Sequence, residues 1–289
     1  MILEETYMLA NGVEVPKLGL GTWLVGDDEV GAQVLQALEF GYRHIDTAQA
    51  YGNERGVGEA VRKSFMPRGQ IFVTDKIAAE HKTYKDALAS IDQSLETMGL
   101  DYIDLMLIHS PQPWEAWRGE ERYVEENREV WRALEDAFRA GKLRAIGVSN
   151  FLQDDLESLM GDCVLRPMVN QILVHAGNTP TGLIDYCNSQ CIQVEAYAPL
   201  GHGHVLDDPK LQKIAKGYHV STAQLCIRYV LQLKAVALPK ATSREHIALN
   251  ASVDFEISAK DMKKLQSLEL GADYGEDARF PVFSGKEQA

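Results

Sequence analysis

The chain has 289 residues, 45% of them apolar and 25% charged, with a net charge of -13. A globular chain of this length buries roughly three quarters of its unfolded surface and needs no disulfide for a core. The acidic balance disfavours nucleic acid and anionic membrane surfaces as partners, though not a local basic pocket for a phosphorylated cofactor. The four cysteines, Cys163, Cys187, Cys191 and Cys226, form no CxxC pair and no Cys/His cluster and read as small core hydrophobes. Met1-Ile2-Leu3-Glu4-Glu5 lacks a basic n-region and a long apolar run, so no signal peptide is expected. No apolar run approaches the roughly 20 residues of a membrane span; the cytoplasm is the expected compartment.

Asn11-Gly12, between short apolar-rich stretches, signals a β-hairpin. After it, β-rich runs at 18–23, 44–48, 71–77, 105–110, 145–150, 168–174, 194–200 and 236–241 alternate with helical patterns at 29–40, 54–64, 84–98, 126–140, 154–160, 179–189 and 222–233. A late helix is expected at 259–268. Regular alternation means parallel strands joined by right-handed crossovers. An open sheet would want a Gly-rich phosphate turn after its first strand, but Gly19-Leu20-Gly21-Thr22-Trp23 lacks the third glycine. The expected fold class is therefore α/β, a (β/α)8 TIM barrel with the hairpin at its bottom, in one domain spanning 1–289. The longest irregular stretches, 111–124 and the tail 271–289, carry aromatics (Trp114, Trp117, Tyr123; Tyr274, Phe280, Phe283). Long loops in compact domains are more often functional than filler.

Active sites of parallel barrels lie at the C-terminal ends of the strands. The residues closing these strands are Trp23, Asp46, Lys76, His109, Ser149-Asn150, Gln171, Tyr197 and Lys240. Tyr51 follows Asp46 in a turn. Singly, each has an ordinary explanation: Asp46 a turn cap, Lys76 a strand-end surface residue, Tyr51 a loop aromatic, His109 a core histidine, Tyr197 a core aromatic. Together they suit proton transfer to a carbonyl. A carbonyl that accepts hydride becomes an alkoxide needing a proton. A phenol is a poor acid at neutral pH unless a neighbouring ammonium stabilises the phenolate, which Lys76 can do. Asp46 can neutralise a buried Lys76, and His109 can orient the carbonyl oxygen.

The sequence resembles the aldo-keto reductase family, particularly bacterial members similar to diketogluconate reductases. The resemblance rests on Gly41-Tyr42-Arg43-His44-Ile45-Asp46-Thr47-Ala48 followed by Tyr51, Asn53-Glu54 and Val57-Gly58, on Ile146-Gly147-Val148-Ser149-Asn150-Phe151, and on Gln171, Ala196–Gly201 and Leu238-Pro239-Lys240. It runs from the hairpin to about Leu268. It implies NAD(P)H-dependent reduction of aldehydes or ketones, with Tyr51 as general acid, Lys76 as its modulator, Asp46 as partner of Lys76 and His109 orienting the substrate. Ser149, Asn150 and Gln171 would hold the nicotinamide carboxamide, and Tyr197 would stack on the ring. Gly21, Thr22, Asp46, Pro199, Leu200, Lys240, Ala241, Thr242, Arg244, His246 and Asn250 complete the implied cofactor site. Trp23 and Trp114, with Tyr51 and His109, would line the substrate pocket, near the 271–289 tail. The implied partner is a small carbonyl or alcohol, and the implied state a monomer.

The sequence departs from the family at several points. Ala241 replaces a serine and His246 an arginine among the contacts to the NADP 2′-phosphate; Arg244 stands nearby as a substitute. Losing one charge-assisted contact weakens discrimination by roughly 1.5–3 kcal/mol, so the expectation is NADPH use with weakened preference and appreciable NADH activity. Asp75 sits where Ser or Thr is common and is expected to point outside the barrel. Ala78 replaces a bulky aromatic and is expected to widen the pocket. His202 and His204 lack a fitting ligand partner, so no metal is expected there and the loop is read as lying over the cofactor. The acidic run 120–129 reads as a solvated helix face. The alternatives are a catalytically silent cofactor-binding barrel acting as an interaction or structural protein, and a barrel isomerase or hydrolase using Asp46 and His109.

Overall fold

Among the described residues, eight parallel strands alternate with helices in chain order: β3 (Leu20–Gly21), β4 (His44–Asp46), β5 (Phe72–Ile77), β6 (Ile103–Ile108), β7 (Leu143–Ser149), β8 (Val169–Leu173), β9 (Gln193–Tyr197) and β10 (Val236–Leu238). This computed structural model describes residues 1–271, 273 and 281–284. Bridges Leu18–Ala237 and Gly21–Lys240 join the first barrel strand to the last, reinforced by the Gly19 amide donating to the Ala237 carbonyl at 2.9 Å. The fold is the expected TIM barrel. Its strands are buried nearly throughout, β5 and β6 at every position, as expected of a sheet covered on both faces.

The hairpin pairs β1 (Thr6–Met8) with β2 (Glu14–Pro16). Its loop has three residues, since the Leu9 amide bonds the Val13 carbonyl at 2.8 Å, and Gly12 supplies the left-handed position at φ +84°. Asn11 Nδ2 donates to the Arg144 carbonyl at 2.9 Å, near the N-terminal end of β7, so the hairpin sits at the barrel's bottom, opposite the strand ends that carry the chemistry.

Helices α1 (Asp27–Phe40), α2 (Glu54–Lys63), α3 (Tyr84–Met98), α4 (Val124–Arg139), α5 (Gln153–Met160), α6 (Thr181–Ser189), α7 (Pro209–Gly217), α8 (Thr222–Gln232), α9 (Arg244–Ala251) and α10 (Ala259–Gln266) surround it. Caps set several starts: Thr83 on α3, Ser243 on α9, Ser258 on α10 and a Ser221/Gln224 box on α8. The Val57-Gly58 motif has a packing cause. A Cβ on Gly58 would stand 2.2 Å from the Met98 carbonyl oxygen, so only glycine lets α2 lie this close to α3. Two helices were not anticipated. In α7, Asp208 caps a first turn opened by Pro209, a legible start signal. In α9 only Ile247 and Asn250 are buried, too faint a pattern to read.

Asp75 does point away from the barrel interior, but not into water. It is fully buried, and its neighbour is the Glu54 carboxyl at the start of α2. Neither Asp75 oxygen has a donor partner. Burial, and then the like charge of Glu54, hold its pKa well above the usual carboxylate range. The folded state thus binds a proton that the unfolded state releases, so stability is lost as pH rises above the ordinary Asp value. Asp75→Asn is expected to raise Tm by a few degrees, with a larger gain at about pH 8 than at about pH 5; thermal unfolding at the two pH values checks it, and an equal or inverted gain contradicts the account.

Candidate active site

Lys76 is the penultimate residue of β5, with its side chain turned into the barrel. Its Nζ donates to Asp46 Oδ1 at 2.8 Å, Asp46 Oδ2 at 2.7 Å and the Thr47 carbonyl at 2.8 Å, and lies 3.3 Å from Tyr51 Oη. Lys76 is 0% exposed and Asp46 3%. The parallel register of β4 and β5 sets this meeting, pairing Asp46 with Thr74. Tyr51 ends a short 3-10 turn (Gln49–Tyr51), tied back where Gln49 Oε1 accepts from the Ala78 amide at 2.8 Å. The four predicted catalytic residues converge: the Tyr51 and His109 rings lie edge to face at 5.7 Å, and His109 meets Trp114 at 5.0 Å.

Electrostatics follow from one cation in a dry interior. Burial opposes the Lys76 ammonium, but Asp46 and Tyr51 outweigh it and raise its pKa. Burial raises Asp46 against the pull of Lys76 and Gln171. Two short contacts and a third acceptor make this an ion pair rather than a neutral one. For Tyr51, burial outweighs the stabilising charge of Lys76, so its pKa is raised. Lys76 acts in the anticipated direction but does not win in the resting protein. Burial, and then the Lys76 charge, keep His109 well below its ordinary value, hence neutral. His109 Nδ1 is buried and unpartnered, leaving Nε2 as the ring nitrogen that reaches the cavity.

These groups open into a cavity of about 340 Å³ lined by Gly21, Trp23, Asp46, Ala50, Tyr51, His109, Trp114, Ser149, Asn150, Gln171, Tyr197, Ala198, His202, Leu238, Lys240, Pro281, Val282 and Phe283. One wall is a polar network. Ser149 Oγ donates to the Gln171 carbonyl at 2.8 Å, Asn150 Nδ2 to the His109 carbonyl at 3.0 Å, and Tyr197 Oη to Asn150 Oδ1 at 2.7 Å. Asn150 and Ala198 hold left-handed backbone at φ +64° and +47°, the kind of strain that clusters at functional sites. The opposite wall is aromatic: His202 stacks on Phe283 at 5.3 Å, and Trp23 meets both.

Of the other implied cofactor residues, Thr22 is buried beside the cavity, with Oγ1 on the Asp46 carbonyl at 2.9 Å. Pro199, Leu200, Ala241, Thr242, Arg244, His246 and Asn250 lie off this wall. Arg244 opens α9 and pairs with Glu39 Oε2 at 2.8 Å while covering the Phe40 ring. Ala78 is not in the cavity wall either. Phe280 and Tyr274 lie outside the described residues. The loop 111–124 is tied down rather than loose. Gln112 Nε2 donates to the Gly119 and Glu121 carbonyls, and Lys82 Nζ to the Ser110 and Pro111 carbonyls and Asn127 Oδ1.

Sequence reasoning missed Glu195. It is fully buried on β9, and Gln171 Nε2 donates to its Oε2 at 2.9 Å and to Asp46 Oδ2 at 3.2 Å. The available signal was a carboxylate inside the apolar run Val194–Tyr197. Reading only the strand ends passed over it.

Known proteins resemble this chain in sequence and fold. The aldo/keto reductase family profile matches residues 17–270, and the chain belongs to that family. It is 42% identical over 268 residues to a glyoxal reductase of Bacillus subtilis, covering 92% of this chain and 93% of that one. It is 37% identical to a morphine 6-dehydrogenase of Pseudomonas putida, covering 94% and 93%. The crystal structure of a Bombyx mori aldo-keto reductase in complex with NADP superposes with a TM-score of 0.84 at 31% identity, covering 97% of this chain and 98% of that one.

Removing one partner of the buried pair leaves an uncompensated charge. Lys76→Met is expected to cost about 3–5 kcal/mol in urea unfolding, and the double variant Asp46→Asn/Lys76→Met clearly less. A double variant as unstable as the sum of the singles would show that the two groups do not interact.

Proposed function

We infer that the protein is an NAD(P)H-dependent oxidoreductase that reduces aldehydes or ketones to alcohols. The observation carrying this is a phenol hydroxyl 3.3 Å from a buried, carboxylate-paired ammonium, lining a cavity that also presents amide and hydroxyl groups. Those groups fit a nicotinamide carboxamide, which needs both donors and acceptors. Gln171 spends its nitrogen on two carboxyls, so its oxygen remains to accept, and the Tyr197 ring stands beside it. Bound reduced nicotinamide supplies the hydride.

The chain's own residues handle the proton and the alignment. Neutral His109 donates through Nε2 to the carbonyl oxygen and fixes its direction. Tyr51 Oη gives that oxygen its proton, and the adjacent Lys76 stabilises the phenolate left behind. Asp46 and the Thr47 carbonyl hold Lys76 against the pull of desolvation. Trp23, Trp114, His202 and Phe283 exclude water from the reacting carbon and strengthen each charge–dipole contact. The two named relatives act on molecules of very different size, so the shared reaction class carries over and the substrate does not. The intact proton relay favours an enzyme over a silent cofactor-binding barrel.

Tyr51→Phe is expected to lower kcat about 10²–10⁴-fold with NADPH affinity kept, read as 340 nm absorbance loss with an aldehyde panel and as fluorescence quenching on binding. Wild-type kcat in that variant would remove the general acid from the scheme.

Cofactor choice is testable separately. We propose that NADPH is preferred over NADH by less than about a thousandfold in kcat/KM, because His246 is a weaker phosphate contact than arginine and Glu39 already occupies Arg244. Glu39→Gln frees that guanidinium from an exposed pair and is expected to raise the NADPH/NADH ratio about two- to fivefold. An unchanged ratio would mean that Arg244 does not read the phosphate.

A further inference from the structure

The mechanism above leaves one buried acid unused. Glu195 sits mid-strand on β9, in register with Gln171 on β8 and Val236 on β10. It is 0% exposed. Its Oε2 accepts from Gln171 Nε2 at 2.9 Å, and the same nitrogen reaches Asp46 Oδ2 at 3.2 Å. Its Oε1 is buried with no partner. A carboxyl group with one neutral donor in a dry interior is a costly way to fill a barrel layer that an aliphatic residue could fill. An amide NH₂, however, carries two hydrogens and is oriented only when two acceptors take them.

We propose that Glu195 is a positioning residue: with Asp46 it clamps the Gln171 amide, fixing the nitrogen toward the barrel axis and leaving the oxygen to the cofactor wall. This rests on the carbonyl-reductase reading, in which the group met by that oxygen is the nicotinamide carboxamide. Lacking Glu195, the Gln171 nitrogen keeps one acceptor, and the amide can swing toward water in the cavity.

The clamp has an electrostatic consequence. Burial first, then the Asp46 charge, outweigh Gln171 and Lys76 and push the Glu195 carboxyl up to about 8. The charged groups facing it are Asp46 from β4 and Lys76 from β5; β8 presents neutral Gln171 and β10 apolar Val236. At neutral pH Glu195 is therefore an uncharged acid. Above its pKa it places a second negative charge in the barrel, which favours the oxidised, cationic nicotinamide over the reduced one.

The test uses the whole protein and two variants, with dissociation constants for NADPH and NADP⁺ read by fluorescence. At neutral pH Glu195→Ala is expected to weaken NADPH about tenfold, whereas Glu195→Gln, whose amide oxygen can still accept, stays within about twofold. Between about pH 6.5 and about pH 9 the wild-type Kd ratio of NADPH to NADP⁺ is expected to rise roughly fivefold, and to stay flat in Glu195→Gln. Wild-type affinity in a folded Glu195→Ala, or a Glu195→Gln as weak as the alanine variant, overturns the clamp. If Glu195→Ala does not fold, the pH series decides: a shift that persists in Glu195→Gln overturns the assignment. A clamp that behaves as expected in protein that reduces no aldehyde would instead condemn the reductase reading and leave the positioning role standing.

Discussion

A single ammonium, Lys76 Nζ, organises the site. Moving it out of water costs several kcal/mol even after relaxation, so its neighbours must be good acceptors in fixed places. The protein supplies two Asp46 oxygens and the Thr47 carbonyl at 2.7–2.8 Å. Those contacts bind β4, β5 and the following turn into one rigid unit. Tyr51 hangs from that turn and is delivered to 3.3 Å from the same nitrogen. The demand to satisfy one charge thus places the phenol at the cavity wall.

Around this cation the protein packs more carboxyls than one ammonium can neutralise. Asp46 takes the direct pair. Glu195, behind Gln171, and Asp75, against Glu54 on the outer face of β5, are both pushed upward by burial. Surplus carboxyls in a low-dielectric region keep their protons, because a second nearby anion is harder to sustain than a neutral acid. Around Lys76 the formal ion pair is thus the one with Asp46; elsewhere the buried Asp104 pairs with Arg68 and Arg144. His109 obeys the same field from the other side: burial and the Lys76 charge keep it uncharged.

The barrel and the convergence of Asp46, Tyr51, Lys76 and His109 were legible because their signals are redundant. Strand alternation, the chemistry of the strand ends and the Gly41–Gly58 motif all point to one arrangement, and the register of β4 with β5 then leaves little freedom. What stayed hidden lacked such redundancy. Glu195 occupies an inward mid-strand position, where pattern alone predicts an apolar residue. Helix α9 buries only Ile247 and Asn250, so its periodicity is weak despite a sound Ser243 cap. Asp75 was placed on the correct side of its strand, but the Glu54 carboxyl that receives it comes from a helix, and strand alternation does not report tertiary neighbours.

The two walls of the cavity differ in how they are held, and this bears on where specificity resides. The amide wall is built on strand ends, with side chains locked by hydrogen bonds of 2.7–3.0 Å between Ser149, Asn150, Tyr197 and their neighbours. The aromatic wall comes from three distant places: Trp23 after β3, His202 after β9, and Phe283 from the tail. They meet through ring contacts of 5.2–5.6 Å. Such contacts are worth about 0.5–1.5 kcal/mol each beyond burial, far less than the charge pair behind them. A change at these rings can therefore reshape the aromatic wall at small cost, whereas a comparable change at Lys76 or Asp46 breaks a buried charge pair.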